Sequence, residues 1–354
     1  MKTDNEIKFI PADTLREMGK KALSAAGVRE DIIEPVVEGL VWTSVRGIDS
    51  HGIRLLPHYI AGVKGGRINP DPNMNFIQSA PAIGLVDADH TFGHAAGMKA
   101  MKHAIELAGE SGIAAVGVKN SSHCGAMSWF AHEAAYKGMI GLAFSHATAR
   151  VKSPGSNRSF FGNNPVCLVA PMQGEEPFCF DAATTSITFN AVKAAAAAGE
   201  ELPPGLVADA QGYETTDPAR AEQLLPIGDY KGFGLSMMVD ILCALLTGMP
   251  AGNKVSKMFG DPMSKKRELG HFFCAINIAS FLDPHLFAAR LKQTAEAVRA
   301  EPALDPSKPV MVPGDPEKKA WKERTRKGVP VPGRVWEEII GLVDVTNLTG
   351  TQAK

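Results

Sequence analysis

IAAVGVKNSSHCGAMSWFAHEAAYKGMIGLAFS, residues 113–145, is the stretch that decides the fold class. IAAVGVKN is short, β-rich and apolar. NSSHCG is a turn of small polar residues, GAMSWFAHEAAYKG has helical spacing, and MIGLAFS is again a strand. A strand, a turn, a helix and a second strand in succession define an α/β layer.

The same alternation continues on both sides. Upstream, AIGLVDA reads as a strand and GHAAGMKAMKHAIELAGESG as a helix. Downstream, NPVCLVAP, PFCFDAA and GHFFCAINIASF read as strands. ITFNAVKAAAAAG is a helix of small residues, and PHLFAARLKQTAEAVRAE is an amphipathic one. YKGFGLSMMVDILCALLTG is the most apolar helix of the chain, and its composition predicts burial. Before the layer come three helical stretches. The first is ADTLREMGKKALSAAGV, where Thr14 and Glu17 fit a capping box and Gly27 is the stop. The others are DIIEPVVEGLVWTSVRG and RLLPHYIAGVKGG. The proline-rich PALDPSKPVMVPGDP is a loop, and VWEEIIGLV is a closing helix. This pattern predicts a mainly helical domain over 1–76 plus 305–354 and an α/β domain over 77–304, with no internal repeats.

Bulk composition narrows the classes. The 354 residues suffice for two or three domains, and 45% hydrophobic with 21% charged residues is an ordinary globular mixture. A net charge of −1 with scattered Lys and Arg argues against a nucleic-acid partner. The one basic cluster, SKKRELGH, reads as a solvated loop. No run approaches the roughly 18 apolar residues of a membrane span, and MKTDNEIKFIPADTL has no signal-peptide core. Cys124, Cys167, Cys179, Cys243 and Cys274 form no C-x-x-C pair, so they are expected to be reduced thiols in a cytoplasmic protein.

Several generic motifs are missing. There is no G-x-G-x-x-G, no phosphate-binding G-x-x-x-x-G-K-[ST] and no G-x-S-x-G elbow. HEAAY at 132–136 places Tyr136 where a zinc helix needs its second histidine, so no metal site is expected.

Two segments carry chemistry. RGIDSHGIR, residues 46–54, puts Ser50, His51 and Arg54 on a punctuated turn. If a helix starts near Ser50, His51 and Arg54 lie one turn apart on one face. An arginine grips a carboxylate with two parallel hydrogen bonds, and a histidine moves a proton near neutral pH. Those are the two demands of a 2-hydroxy-acid site. The ordinary alternative makes Ser50 a helix cap, His51 a surface residue and Arg54 a salt-bridge partner. The second segment, NSSHCGAMSWF at 120–130, sets His123 on a strand-to-helix turn, where α/β proteins place ligands. Its alternative is capping by Ser121 or Ser122.

RGIDSHGIRLLPHY, SSHCGAMSWF, FFGNNPVCLVAP, PFCFDAATT, ADAQGYETTDP, LLPIGDYKGFGLSMMVDIL and GHFFCAINIASF follow one another in the order of a known family. From about residue 10 to about 345 the chain resembles the malate/L-lactate dehydrogenase family without a Rossmann fold. CGAMSWF and GNKVSKMFGD are most similar to its ureidoglycolate dehydrogenase-type members. The family also includes sulfolactate dehydrogenase, diketogulonate reductase and piperideine carboxylate reductase. The resemblance implies a family-specific, non-Rossmann nicotinamide-binding α/β domain beside the helical N- and C-terminal domain. It implies an NAD(P)-dependent oxidoreductase acting on a small 2-hydroxy or 2-oxo acid of malate, lactate or ureidoglycolate type, with NAD favoured over NADP. It also implies a homodimer with sites near the subunit boundary.

By the same resemblance, His51 or His123 is the acid/base and Arg54 holds the substrate carboxylate; Ser50 could cap the turn or hydrogen-bond the substrate. Cofactor contacts fall on Ala147, on Pro177, Phe178, Cys179, Phe180, Asp181, Ala182 and Ala183, on Tyr230 and Lys231, and on Met311, Val312 and Pro313. Lys231, where a loop enters a long helix, would add a full charge to an anion-favouring helix start. Asp181 could accept from a ribose hydroxyl, orient a histidine, or cap AATTSI.

The chain departs from the family pattern at Asn163, Ser156, Asp229 and Ala182, and in VMVPGD, which lacks an arginine. These changes bear on coenzyme and substrate identity more than on reaction type. Two alternatives stand beside the dehydrogenase reading: an NADPH-dependent cyclic imine or 2-oxo acid reductase, and a non-redox carboxylate-binding protein.

Overall fold

The computed structural model describes residues 6–349. The remaining ends of the expected helical domain, 1–5 and 350–354, lie outside the described residues.

A seven-stranded mixed sheet forms the centre, in the spatial order Asn75–Ala80, Ile83–Asp87, Ile113–Ser121, Leu269–Asn277, Met139–Ser145, Val166–Ala170 and Phe178–Ala182. Ile83–Asp87 and Ile113–Ser121 run parallel, and every other neighbouring pair is antiparallel. The strands flanking the 113–145 crossover are therefore not neighbours, because Leu269–Asn277 inserts between them. Period-two alternation buries Ala114, Val116 and Val118 on one face. Helix Gly93–Ser111 lays Ala96, Ala100, Met101, Ala104 and Ala108 against that face. Its small residues permit close approach: a Cβ on Gly97 would meet Phe130 at 2.7 Å and Phe273 at 2.9 Å.

Helices Ala12–Ala25, Glu30–Val45 and Leu56–Lys64 share a second core with Val329, Val331 and Ile339 from the far end of the chain. Strand Ile7–Ile10 pairs antiparallel with Val329–Pro332, so both ends of the described chain close this region. A third, five-stranded sheet is built from very short strands between residues 151 and 224.

Three local expectations are corrected. Thr14 and Glu17 form no capping box. The first helix begins at Ala12 after Pro11, with no side-chain cap, and Glu17 pairs instead with Lys21 at 2.6 Å. Proline already fixes the entry angle, which leaves Thr14 inside the first turn. Helix Asp315–Lys327 was not read from sequence. Its DPEKKAWKERTRK has almost no apolar stripe, and Asp315 at its start and Arg324, Arg326 and Lys327 at its end suit the helix dipole.

The apolar helix Tyr230–Asp240, with its π-turn continuation Ile241–Leu245, is buried on one face only. Gly232, Ser236, Val239 and Cys243 face inward, while Leu235, Met237, Met238, Ile241, Leu245 and Leu246 remain exposed. The sheet accepts only its small-residue stripe, and among the described residues nothing covers the larger side chains.

Candidate active site

Helix Glu30–Val45 feeds the Arg46–Arg54 stretch into two separate 3-10 turns, Asp49–His51 and Ile53–Leu55. His51 and Arg54 do not share one helical face, because Gly52 between them is extended (φ −95°, ψ −152°). The break is held from below. Ser44 Oγ donates to the Leu40 carbonyl at 2.9 Å and accepts the Ile53 N–H at 2.8 Å. The chain passes so close that a Cβ on Gly52 would overlap Ser44 Oγ and sit 3.2 Å from Ser44 Cα. Asp49 is clamped by Arg324 at 2.6 and 3.0 Å, and the same guanidinium donates to the Ser44 carbonyl at 2.7 Å. Ser50 caps no helix, and its Oγ lies 2.7 Å from His51 Nδ1. Arg54 is exposed and has no acid partner among the described residues.

The turn after strand Ile113–Ser121 carries His123. Neither Ser121 nor Ser122 caps helix Met127–Tyr136. His271 on the inserted strand instead engages the Ser121 hydroxyl and the Ser122 backbone carbonyl, its Nε2 lying 2.9 Å from Ser121 Oγ and 3.2 Å from the Ser122 carbonyl oxygen. Ser145 Oγ holds the other ring nitrogen of His271 at 2.9 Å. Gly93 brings its helix start onto the turn, where an added Cβ would come within 2.6 Å of Cys124 Cβ.

The structure brings the two sequence-selected histidines together. The rings of His51 and His123 stack with centroids 5.5 Å apart and planes 24° apart. Tyr59 Oη lies 2.6 Å from His123 Nδ1. Both imidazoles thus have Nδ1 engaged, and neither Nε2 has a hydrogen-bond partner within the described chain. Burial lowers the proton affinity of His51. His123 is held well below the ordinary histidine range by burial first, then by His51, His94, Arg267 and His58. Burial pushes the Tyr59 hydroxyl well up, so it keeps its proton. At neutral pH the cluster is uncharged and can accept one proton. Two stacked imidazoles do not both become cations readily, because each charge disfavours the other.

Sequence reading missed Tyr59, His58, His94 and Arg267. Tyr59 closes the quoted RGIDSHGIRLLPHY, and its helical neighbourhood was the available signal. Arg267 belongs to SKKRELGH, read as solvated. Lys265 is indeed exposed, but Arg267, Leu269 and His271 are buried. They occupy alternate positions as the chain enters strand Leu269–Asn277, and that period of two points them inward.

The other sequence-selected residues fall into linked segments. Asp181, in strand Phe178–Ala182, accepts the Ser128 backbone N–H at 2.8 Å. It therefore serves the first turn of the helix behind His123 rather than AATTSI, and burial pushes its carboxyl up. Val312 packs with Met172, Ala295 and Phe178, and Gly314 lies on Cys179, so the Met311–Pro313 loop adjoins the Pro177–Ala183 segment. Thr184 accepts the Ile227 N–H at 3.1 Å, which ties that segment to the loop leading into Tyr230 and Lys231. Asn164 holds Ala147 through its backbone N–H at 3.0 Å and bonds the Ser236 carbonyl at 2.8 Å and Asp240 at 3.0 Å. Met311, Tyr230 and Lys231 are exposed.

A cleft of about 390 Å³, lined by Asp87, Asp89, Lys119 and Asn120 among others, opens at the Asn75–Asp87 edge of the sheet and contains neither paired histidine. Among the described residues no group of three His, Cys, Asp or Glu is arranged to hold a metal ion, and no helix is long and apolar enough to cross a membrane. All five cysteines are free.

Two imidazoles, each with Nδ1 engaged, converge on this mixed α/β sheet, an arrangement suited to proton transfer. A family model described as malate/L-lactate dehydrogenase matches residues 10–340. The chain is 31% identical over 331 residues to ureidoglycolate dehydrogenase (NAD(+)) of Escherichia coli O157:H7, covering 94% of this chain and 95% of that one. It is 32% identical over 346 residues to malate dehydrogenase of Pyrococcus abyssi, covering 95% and 94%. The crystal structure of malate dehydrogenase from Entamoeba histolytica superposes with a TM-score of 0.91 at 27% identity, covering 97% of this chain and 99% of that chain. The chain belongs to the malate/L-lactate dehydrogenase family, and it is a dehydrogenase.

Proposed function

We propose that the chain moves a hydride between a nicotinamide dinucleotide and a small 2-hydroxy acid, with His123 as acid/base and His51 polarising the same oxygen. The stacked His51–His123 pair, each ring with Nδ1 engaged and Nε2 open, carries the reading. In the oxidative direction His123 holds its proton on Nδ1, donating it to Tyr59 Oη, and its Nε2 lone pair accepts the substrate hydroxyl proton. Run backwards, Nε2 returns that proton to the forming alkoxide. His51, oriented by Ser50, donates a hydrogen bond to the same oxygen without taking the proton. Arg54, exposed and without an acid partner among the described residues, holds the carboxylate next to the reacting carbon.

The residues expected at the cofactor suit a dinucleotide. Lys231 stands exposed, with no ion-pair partner among the described residues, in the first turn of its helix, whose cap residue Asp229 makes no side-chain cap. A lysine charge added to a helix start suits a pyrophosphate. Ala147, the Pro177–Ala183 segment, Tyr230 and the Met311–Pro313 loop complete the set. When bound, the dinucleotide supplies the hydride acceptor. NAD is favoured over NADP, in keeping with the NAD(+) named for the ureidoglycolate dehydrogenase relative. A panel of malate, lactate and ureidoglycolate assayed with NAD and NADP should show turnover with at least one acid. Absence of both NADH and NADPH binding by fluorescence titration would instead favour a non-redox carboxylate binder.

We also propose that the exposed face of the Tyr230–Leu245 segment is covered by a second copy of the chain, making a homodimer. Seven large side chains, Tyr230, Leu235, Met237, Met238, Ile241, Leu245 and Leu246, are exposed along it, and contiguous apolar patches of this kind mark interfaces. Light scattering is expected to read twice the 37.6 kDa chain mass; a monomer at micromolar concentration would refute the dimer. The division into a helical unit over 1–76 and 305–354 and an α/β unit over 77–304 is supported by the two separate cores. Five free thiols suit a reducing, cytoplasmic setting.

A further inference from the structure

Besides the stacked pair, His94, His132, His146 and His271 are buried, and the mechanism uses none of them. Among the described residues, His94 bonds through neither ring nitrogen, and His132 and His146 through one each. His271 alone of the four is engaged at both.

Its aim starts from a bulge. On strand Leu269–Asn277, Leu269 pairs with Ser121 and His271 with Val118, so the neighbouring strand carries one residue more over that span. Bulges of this kind re-aim a side chain. Gly270, between the two, gives its N–H to His146 Nε2 at 2.8 Å. A Cβ on Gly270 would overlap the Cys243 carbonyl, so the bulge is held from that side as well.

His271 is fully buried. Its Nε2 faces the Ser122 carbonyl oxygen at 3.2 Å, as well as Ser121 Oγ. A carbonyl only accepts, so Nε2 carries the ring proton and Nδ1 is the acceptor. Nδ1 accepts the Ser145 hydroxyl at 2.9 Å and has the Cys124 thiol at 3.6 Å. One ring thus touches the residue before His123 and the residue after it. The Ser122 carbonyl lies in the peptide plane that also contains the His123 nitrogen and Cα. Holding that oxygen therefore fixes the direction in which the His123 side chain leaves the backbone. Gly93 crowds the same oxygen, which an added Cβ would overlap. Tyr59 sets the ring of His123 at Nδ1, and His271 sets the backbone beneath it.

We propose that His271 is a positioning residue for the reaction: as its Nε2–H tautomer it aims His123 by holding the peptide that precedes it. The inference rests on the reading above, in which His123 is the acid/base. Misplacing a reacting group by about 1 Å costs up to about 100-fold in rate, so a buried residue that touches no substrate can still govern turnover.

The test compares His271→Gln with His271→Asn in the full chain. The Gln amide reaches the place of Nε2 and keeps a donor for the Ser122 carbonyl, whereas the shorter Asn amide reaches only the place of Nδ1. His271→Asn is expected to lower kcat by about 10–100-fold with KM and NADH affinity nearly unchanged. His271→Gln should stay within about fivefold of the wild type, the worth of one hydrogen bond. A second readout needs no turnover. In long-range ¹H–¹⁵N spectra of histidine-labelled protein, with His123→Ala assigning the signals, His123 should show one tautomer, with Nδ1 protonated, in the wild type and in His271→Gln. In His271→Asn its two nitrogens should average. If His271→Asn does not fold, Ser145→Ala, which takes the hydroxyl from Nδ1, is read in its place, with averaging expected and a loss in kcat of about threefold or more. Averaged His123 signals in the wild type, wild-type signals or kcat in the folded Asn variant, or a folded Gln variant as impaired as Asn, overturns the proposal. A wild type that oxidises no hydroxy acid overturns the function reading instead, and the nitrogen spectra alone then decide for His271.

Discussion

His123→Ala is expected to lower turnover by about 10²–10⁴-fold, the usual contribution of a positioned acid/base, with little change in nicotinamide dinucleotide affinity. An interaction made only in the transition state behaves in this way. The imidazole Nε2 has no hydrogen-bond partner among the described residues, so in the proposed mechanism its removal leaves the hydroxyl proton without an acceptor. His51→Ala should also lower turnover, by less, because His51 polarises the oxygen without carrying the proton. Tyr59→Phe removes the hydroxyl at His123 Nδ1, at 2.6 Å, and should reduce turnover by a factor of about 2–10, the worth of one ordinary hydrogen bond. The pH profile gives an independent check. Burial and neighbouring positive groups lower the His123 proton affinity, so the neutral base persists below the ordinary histidine pKa of about 6.5. Oxidation should therefore hold through weakly acidic pH and decline only further down. Near-normal turnover in both histidine alanine variants would refute the mechanism.

Acid should unfold this protein early. His94, His132 and His146 are each pushed down to about 3, and His271 to about 4, with burial the first cause in every case. His94 has neither ring nitrogen hydrogen-bonded, and His146 Nδ1 stands 3.9 Å from Asp240 without a bond. In the unfolded chain these groups take protons near the ordinary pKa of about 6.5. Their native pKa values lie below that, so their stability contribution is complete above about pH 6.5 and is lost as pH falls toward the native values. Each fully buried imidazole then costs about 1.4 kcal/mol per pH unit, and four together cost about 5–6 kcal/mol per unit. Against a net stability of about 5–15 kcal/mol, unfolding is expected within about one to three units below pH 6.5. Asp181 and Asp240, whose carboxyls burial pushes up, act in the opposite sense but are outnumbered. Circular dichroism against pH, with unfolding temperatures at each point, measures this. A native signal unchanged down to about pH 3.5, the lower end of that window, would rule it out.

What sequence could reveal follows from what is local. Strand Ile113–Ser121 and helix Gly93–Ser111 were legible because their periodicity records which face meets the core. The insertion of Leu269–Asn277 between Ile113–Ser121 and Met139–Ser145 was not, because pairing across more than a hundred residues leaves no periodic trace. His51 and His123 were legible as candidates from their turns, and family resemblance joined them. Tyr59 and Arg267 were not, because their roles arise from long-range packing. Arg267 looked like one more surface charge until strand alternation turned it inward. The Tyr230–Leu245 helix shows the opposite error: an all-round apolar composition says that burial is needed, not which molecule provides it.

The Asp49–Arg324 clamp spans 275 positions and sets the backbone beneath His51. On a ribosome, that aspartate emerges long before its arginine. The turn bearing His51 must therefore wait, incompletely held, until the late helix has left the exit tunnel. A nascent chain stalled anywhere before that helix should lack the clamp beneath the turn that bears His51.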